Sequence, residues 1–501
     1  MTLDQSSPLP RSRRFAPSIF AAALAATLAV AGCATMPDAG TAGATASTSA
    51  PIGWDSVPGI LARIKAPTFP NRDFAITDYG AKADGTTDCT DAIAQAIAAC
   101  NAAGGGRVVV SGGVFLTGAV HLKSNVNLYV AEGTTLKFSP NPAKFLPVVL
   151  TRFEGTECMN YSPLIYAYQQ ENIAVTGKGT LDGSASRETW WGLIRRDAIA
   201  NGANGQRQSS QLELIQMGEK NVPVEQRIFG DRGTLRPNFI VPYRCKNVLI
   251  EDVHIINSPM WEVVPELSVN VTVRGVEIHS HGPNNDGCDP ESSRDVLIEN
   301  CIFDTGDDCI AIKSGKDADG RRVNVASENL IIRNCVMQDG HGGVVLGSEN
   351  SGSIRNVFAE NNKMDSPNLQ RALRLKTNAG RGGVLENVFM RNCTVGQVSD
   401  SILTIDLVYG RVTEGKFPPT VRNVLMQNVT SKKAPRVLSI VGTDQSIIEN
   451  VRIEDCTFTG VEGADILAHS GDVSYKNVTI TPAPRARNAG PARAAAPRSG
   501  E

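Results

Sequence analysis

The chain has 501 residues, 41% of them hydrophobic, with 49 basic and 51 acidic side chains and a formal net charge of −2. That length allows a large core but does not by itself separate one long domain from several. The near balance of charge leaves no bulk field for nucleic acid, so no nucleic-acid partner is expected; a local basic site for an acidic ligand stays open.

Residues 1–33 read as an export signal. Arg11, Arg13 and Arg14 precede an apolar stretch from Ser18 to Ala31, which is too short for a membrane-spanning helix. Val30-Ala31-Gly32-Cys33 is similar to a bacterial lipoprotein cleavage box, which makes Cys33 the lipidation candidate and a membrane anchor; ordinary cleavage after Ala31 is the alternative. Either reading sends the protein to the periplasm, the outer membrane or the medium. Residues 34–70 read as a flexible linker and lead-in, being rich in Ala, Thr, Ser, Gly and Pro as far as Pro51.

From Asp88 to Cys100 the chain predicts a short helix, capped by Asp88 or Thr90, with Ala92, Ile93, Ala96, Ile97 and Cys100 on one face. Such a helix closes the open end of whatever follows. Residues 184–237 form a long polar insertion, placed as a loop on one face.

A repeat then takes over. A phrase beginning with Asn and alternating apolar with polar residues starts near Asn247, Asn270, Asp295, Asn329, Asn356, Asn387, Asn423 and Asn450. Spacings of this order signal solenoids or propellers. One register position holds Val253, Val276, Cys301, Cys335, Asn362, Cys393, Val429 and Cys456. A column of small, buried-type residues suits stacked coils of a parallel β-helix, whose rungs lie about 4.8 Å apart. A propeller blade needs several strands per repeat, and most of these repeats are too short. The expected fold is all-β: a single-stranded right-handed parallel β-helix over residues 71–481, with the N-terminal capping helix, followed by a disordered Pro/Ala/Arg-rich tail over 482–501. Four of the eleven cysteines fall in the column. Disulfides stay open at Cys89–Cys100 and at Cys288 or Cys309.

Chemistry concentrates on four successive coils. Asp286 lies in Gly282-Pro283-Asn284-Asn285-Asp286-Gly287, and Asp307-Asp308 follow about one coil later. Neighbouring acids perturb each other's pKa, which a glycosidase needs to keep one acid protonated. In isolation such pairs are more often turns or calcium ligands. Gly340-His341-Gly342 has the composition of a turn, and Arg374-Leu375-Lys376 puts two cations on one strand face. Facing a cleft, those cations make a carboxylate clamp.

The order Asp286, Asp307-Asp308, Gly340-His341-Gly342, Arg374-Leu375-Lys376 closely resembles the polygalacturonase family of glycoside hydrolases. Gly179-Thr180-Leu181-Asp182-Gly183, Trp190-Trp191 and Asn257-Ser258-Pro259-Met260-Trp261 agree with it. Asn285 stands where that family usually has Thr, and Leu375 where it has Ile. The resemblance implies hydrolysis of pectic polygalacturonate, with pectin oligosaccharides as partners, no cofactor and no metal, by a monomer. It implies Asp307 as general acid, Asp286 and Asp308 activating water, and His341 tuning the acid. Arg374 and Lys376 would bind a galacturonate carboxylate, with Tyr409 as a further active-site residue. The family inverts configuration, whereas acids about 5 Å apart suggest retention by general geometry. The phrase from Thr305 to Asp317 is similar to bacterial exo-acting members; the insertion and the Asp317–Arg322 loop are the expected wall that closes one end of the groove. Rival readings are a calcium-dependent lyase, a non-catalytic carbohydrate-binding spike, and cleavage of rhamnogalacturonan or xylogalacturonan. A zinc enzyme based on His279 and His281 is set aside because no third ligand has the required spacing.

Overall fold

The repeated phrase folds as it does because asparagine tolerates a left-handed backbone. A computed structural model describes residues 52–196 and 209–484; the signal segment, Cys33, most of the linker, part of the insertion and the tail from 485 lie outside the described residues. The leading residues Asn247, Asn270, Asn329, Asn356, Asn387, Asn423 and Asn450 all have φ between 54° and 61°. Their side chains form a ladder, each Nδ2 donating to the Oδ1 of the coil before it: Asn356 to Asn329 at 3.0 Å, Asn387 to Asn356 at 2.9 Å and Asn423 to Asn387 at 2.7 Å. The strand that follows each one alternates inward and outward, and identical positions stack in register, Val248 on Val271, Val296 and Leu330. A second left-handed residue, such as Asn300, Asn334 or Asn392, then turns the chain before the small column residue. The column from Val253 to Cys456 is buried throughout.

The result is a right-handed parallel β-helix. Two thirteen-stranded parallel sheets run its length, and a third face is divided between a three-stranded and a six-stranded sheet. That third face is continuous, because single bridges Ile240–Val263, Val263–Cys288 and Cys288–Ile310 join its three-stranded and six-stranded parts. On these bridging coils, turns replace most of the strand.

The flexible linker expected as far as Pro51 lies outside the described residues, and the lead-in after it is built into the fold. Helix α1 (Val57–Arg63) lies against the outer face of the first sheet. Val57, Ile60 and Ile64 pack with Leu297, Ile331, Phe358, Phe389 and Leu425, and Trp54 meets Phe358 edge-on at 5.5 Å. Outward-facing apolar residues on successive coils supply the driving force. Asp295 replaces asparagine in the ladder and has no amide to donate to Asn270. The lead-in fills the gap: Lys65 N–H donates to Asn270 Oδ1 at 2.8 Å, and Arg63 pairs with Asp295 at 2.8 Å.

Helix α2 (Thr90–Ala102) caps the first coil with the predicted apolar face. Its N-cap is Cys89, which makes no side-chain capping bond; Asp88, one residue earlier, accepts the Thr90 N–H at 2.9 Å. Neither anticipated disulfide forms: Cys89, Cys100, Cys288 and Cys309 are free and buried. They pack as small apolar residues, with thiols bonded to backbone carbonyls where one is near, as Cys309 Sγ is to Asp339 at 3.1 Å.

The insertion contains α3 (Ser210–Glu219), capped by Ser209 Oγ accepting from Leu212 N–H at 3.2 Å. It packs beside α4 (Asp317–Val323) and the antiparallel hairpin Val149–Phe153/Thr156–Asn160. Buried Arg227 joins these parts, reaching Asp319 at 2.6 Å and the Glu157 carbonyl at 3.0 Å.

Candidate active site

The site forms where turns interrupt the third face. Asn285 fixes the first turn: its Oδ1 accepts from Ser280 Oγ at 2.7 Å and Gly282 N at 2.8 Å, and its Nδ2 donates to the carbonyls of Ser258 at 3.0 Å and Met260 at 3.1 Å. Every hydrogen-bonding position of the amide is used, which gives Asn a reason to stand here. Asp286 follows on this rigid base. On the next coil come Asp307 and Asp308, and on the next Gly340, whose φ is +145° and whose added Cβ would sit 2.5 Å from the Asp307 carbonyl oxygen. Glycine is required there, and it lets the His341 N–H reach that carbonyl at 3.0 Å. Strand Arg371–Lys376 turns Leu373 and Leu375 into the core and Arg374 outward, in register with Val345.

All seven residues expected at the site converge. Asp286, Asp307 and Asp308 each place a carboxylate oxygen within 4.8 Å of the others. His341 Nδ1 is 2.9 Å from Asp307 Oδ1. Lys376 Nζ is 2.7 Å from Asp308 Oδ2, with Arg374 at 3.8 Å from the other oxygen. The Tyr409 ring lies 5.6 Å from the Arg374 guanidinium and 5.3 Å from Lys376 Nζ. Except for buried Asp308, these side chains line one cavity of about 370 Å³.

The same cavity contains residues that sequence reasoning missed. Lys313 is buried beneath it, with Nζ 3.3 Å from Asp286, 3.5 Å from Asp289 and 3.5 Å from Glu349. It also lies 4.2 Å from the centre of the Trp261 ring. Lys316 reaches Glu154 at 2.8 Å, and Arg381 reaches Asp317 at 2.6 Å. The signal available was position: Lys313 ends the apolar run Ile310-Ala311-Ile312, where a charge facing solvent and a charge facing a buried site look alike.

Electrostatics sort the acids. Burial, reinforced by Asp289 and Asp307, pushes Asp286 well above the ordinary carboxylate range. Asp289 is pushed up to about 7 by burial, against the pull of Lys313. For Asp307 burial also acts upward, but the hydrogen bond from His341 and the nearby Lys376 outweigh it and hold its carboxyl below the usual value. His341 is raised in return, chiefly by that hydrogen bond. The two directions are opposite: the surroundings of Asp286 favour its protonated form and those of Asp307 its ionised form.

Lys313 and Lys376 each engage one oxygen of the triad, Asp286 Oδ2 and Asp308 Oδ2, so built-in cations already offset charge that a calcium ion would neutralise. The zinc reading needs correcting in one respect. His279 and His281 do have acidic neighbours, because the next two coils place Asp304 and Asp339 beside them. Those ligands come from successive coils, so no short sequence spacing announces them.

The expected wall does not border the cavity, which none of residues 317–322 lines. None of the described insertion residues lines the cavity. Helices α3 and α4 instead support the hairpin, whose tip residue Glu154 enters the cavity edge and bonds to Gln211 of α3 and Lys316.

The model of the glycosyl hydrolases family 28 matches residues 226–481, and that of rhamnogalacturonase A/epimerase, pectate lyase-like, matches residues 74–162. A hyperthermoactive exopolygalacturonase from Thermotoga maritima is 45% identical, with a TM-score of 0.80, over 85% of this chain and 96% of that one. The exo-poly-alpha-D-galacturonosidase of Dickeya chrysanthemi is 29% identical over 81% of this chain and 70% of that protein. A probable polygalacturonase of Vitis vinifera is 28% identical over 64% of this chain, which spans 60% of that protein's length.

Proposed function

Because the chain belongs to the glycosyl hydrolases family 28, we propose that it hydrolyses the α-1,4 bonds of polygalacturonate, taking short products from one chain end. The observation that carries this reading is the convergence of three acids, one histidine and two outward cations on a single cavity. Arg374 and Lys376 hold a galacturonate carboxylate, which a neutral sugar lacks. Asp307 protonates the leaving oxygen, and a water held between Asp286 and Asp308, away from the acid, attacks with inversion as the family resemblance implies, against the general spacing rule for acids within 4.8 Å.

The proton must then move on binding. A substrate carboxylate at Lys376 cancels the charge that holds Asp307 down, while exclusion of water raises it further. Coupling between Asp286 and Asp307 makes that shift a redistribution within the pair, with Asp307 taking the proton as its surroundings become less cationic.

End-directed action, which requires the groove to be closed at one end, is supported by the exo-acting relatives. Viscometry tests it. An exo enzyme releases reducing ends while the viscosity of polygalacturonate falls slowly. A rapid collapse with mixed oligomers as first products would reject closure. Export by residues 1–33, with lipid attachment at Cys33, and action as a monomer complete the proposal; Arg11, Arg13, Arg14 and the box ending at Cys33 support the export part.

A further inference from the structure

The outer face of the second sheet carries a cluster that hydrolysis leaves unused. His279, Asp304 and Asp339 occupy one register column on three successive coils, and His281 stands two residues along from His279. His281 Nε2 is 2.7 Å from Asp304 Oδ1, and His279 Nδ1 is 3.3 Å from Asp304 Oδ2. One ligand atom each of His281, Asp304 and Asp339 lies within 4.8 Å of the others. The two stacked carboxylates repel, and among the described residues no lysine or arginine forms an ion pair with either. This differs from the catalytic acids, which have Lys313 and Lys376 beside them.

We propose that His281, Asp304 and Asp339 bind one divalent transition-metal ion of the zinc class, with His279 completing or orienting the set. Imidazole and carboxylate together suit such an ion, and ligand atoms about 2.0–2.2 Å from a tetrahedral centre require only a small contraction of the group. Opening the His281–Asp304 hydrogen bond frees the nitrogen for the metal. Asp339 is already oriented, its Oδ1 accepting the Gly340 N–H at 2.9 Å and its Oδ2 the Asn368 amide at 3.1 Å. The ion neutralises the stacked acids and ties three coils together next to the turn that presents His341. It binds more weakly as pH falls, because the ligand histidines must be neutral.

The test is calorimetric titration of the chelator-treated full chain with zinc chloride, paired with thermal melting. The expected result is one zinc per chain and a higher melting temperature. Asp304→Asn and His281→Gln should each weaken binding by about tenfold or more while melting normally without metal. Asp286→Asn should bind zinc as the parent does. Absence of stoichiometric binding, or full binding by either folded variant at the cluster, overturns the site. Loss of binding in Asp286→Asn alone overturns it too, since the ion would then lie on the catalytic acids. Neither result depends on which polysaccharide is cleaved.

Discussion

Replacing Lys313 with methionine removes the positive charge shared by Asp286, Asp289 and Glu349 while preserving most of the side-chain volume. Burial alone would lower the lysine's pKa, but the surrounding carboxylates hold it well above the ordinary value, so it is charged throughout the working range. At 3.4 Å and an effective dielectric of 20, each contact represents about 5 kcal/mol of attraction before desolvation is subtracted. The variant does not lose that sum, because the stranded carboxylate, chiefly Glu349, which despite burial Lys313 helps hold below its ordinary range, escapes by taking up a proton. Forcing one acid neutral costs about 4 kcal/mol at pH 7 and about 1.5 kcal/mol at pH 5, from its unfolded pKa near 4. One acid neutralised in this way gives a loss of about 4 kcal/mol at neutral pH, in line with the about 3–5 kcal/mol for breaking a buried pair. The sign with pH follows: acids with a raised folded pKa bind protons more tightly folded than unfolded, so the deficit shrinks as pH falls toward 5. Denaturant unfolding of both proteins at pH 5 and pH 7, followed by tryptophan fluorescence, measures it. A loss under about 1 kcal/mol at pH 7, or a deficit that grows on acidification, refutes the shared-counterion account.

Asp307→Asn should reduce hydrolysis by about 10²–10⁴-fold with little change in unfolding midpoint, because the amide keeps the shape but cannot supply the proton; turnover near the parent rate contradicts the assignment. Fully methyl-esterified pectin should show kcat/KM at least about tenfold below polygalacturonate, since the ester removes the anion that Arg374 and Lys376 hold. Equal rates on the two polymers exclude the clamp. Asn285→Ala should cost about 1–3 kcal/mol of stability and lower kcat, because it frees four hydrogen-bonding groups beneath Asp286. A variant with parental melting temperature and rate shows that the turn holds without it.

The solenoid was legible because its local grammar is strict. A left-handed asparagine, an alternating strand and a small buried residue recur, and stacking forces each into one column. The site was legible for the same reason, since its residues ride on consecutive coils. What escaped was governed by partners distant in the chain. Residues 52–70 carry apolar positions such as Trp54, Val57, Ile60 and Ile64, but their docking depends on Phe358 and Phe389, some three hundred residues later. Lys313, Asp289 and Glu349 look like ordinary polar strand ends until the fold buries them together. The Asp304–Asp339 pairing with His279 and His281 arises from register across coils, and spacing along one segment is blind to it. Cys89 and Cys100 show the converse, since an oxidising destination left a bridge open between thiols that the core uses as packing.

The strap formed by Trp54 to Lys65 alters how the solenoid comes apart. Coils that touch only their neighbours unzip from an end, one at a time. Here the chain first lies across the coils bearing Phe389, Phe358, Ile331 and Asp295, bonds to Asn270, and only then enters the first coil at Asp73. Those middle coils are thereby fastened to one another as well as stacked, so fraying that begins at the C-terminal coils meets a barrier before it reaches the acids. A pull on residue 52 would likewise load the strap in shear against the middle of the molecule and leave the capped first coil at rest.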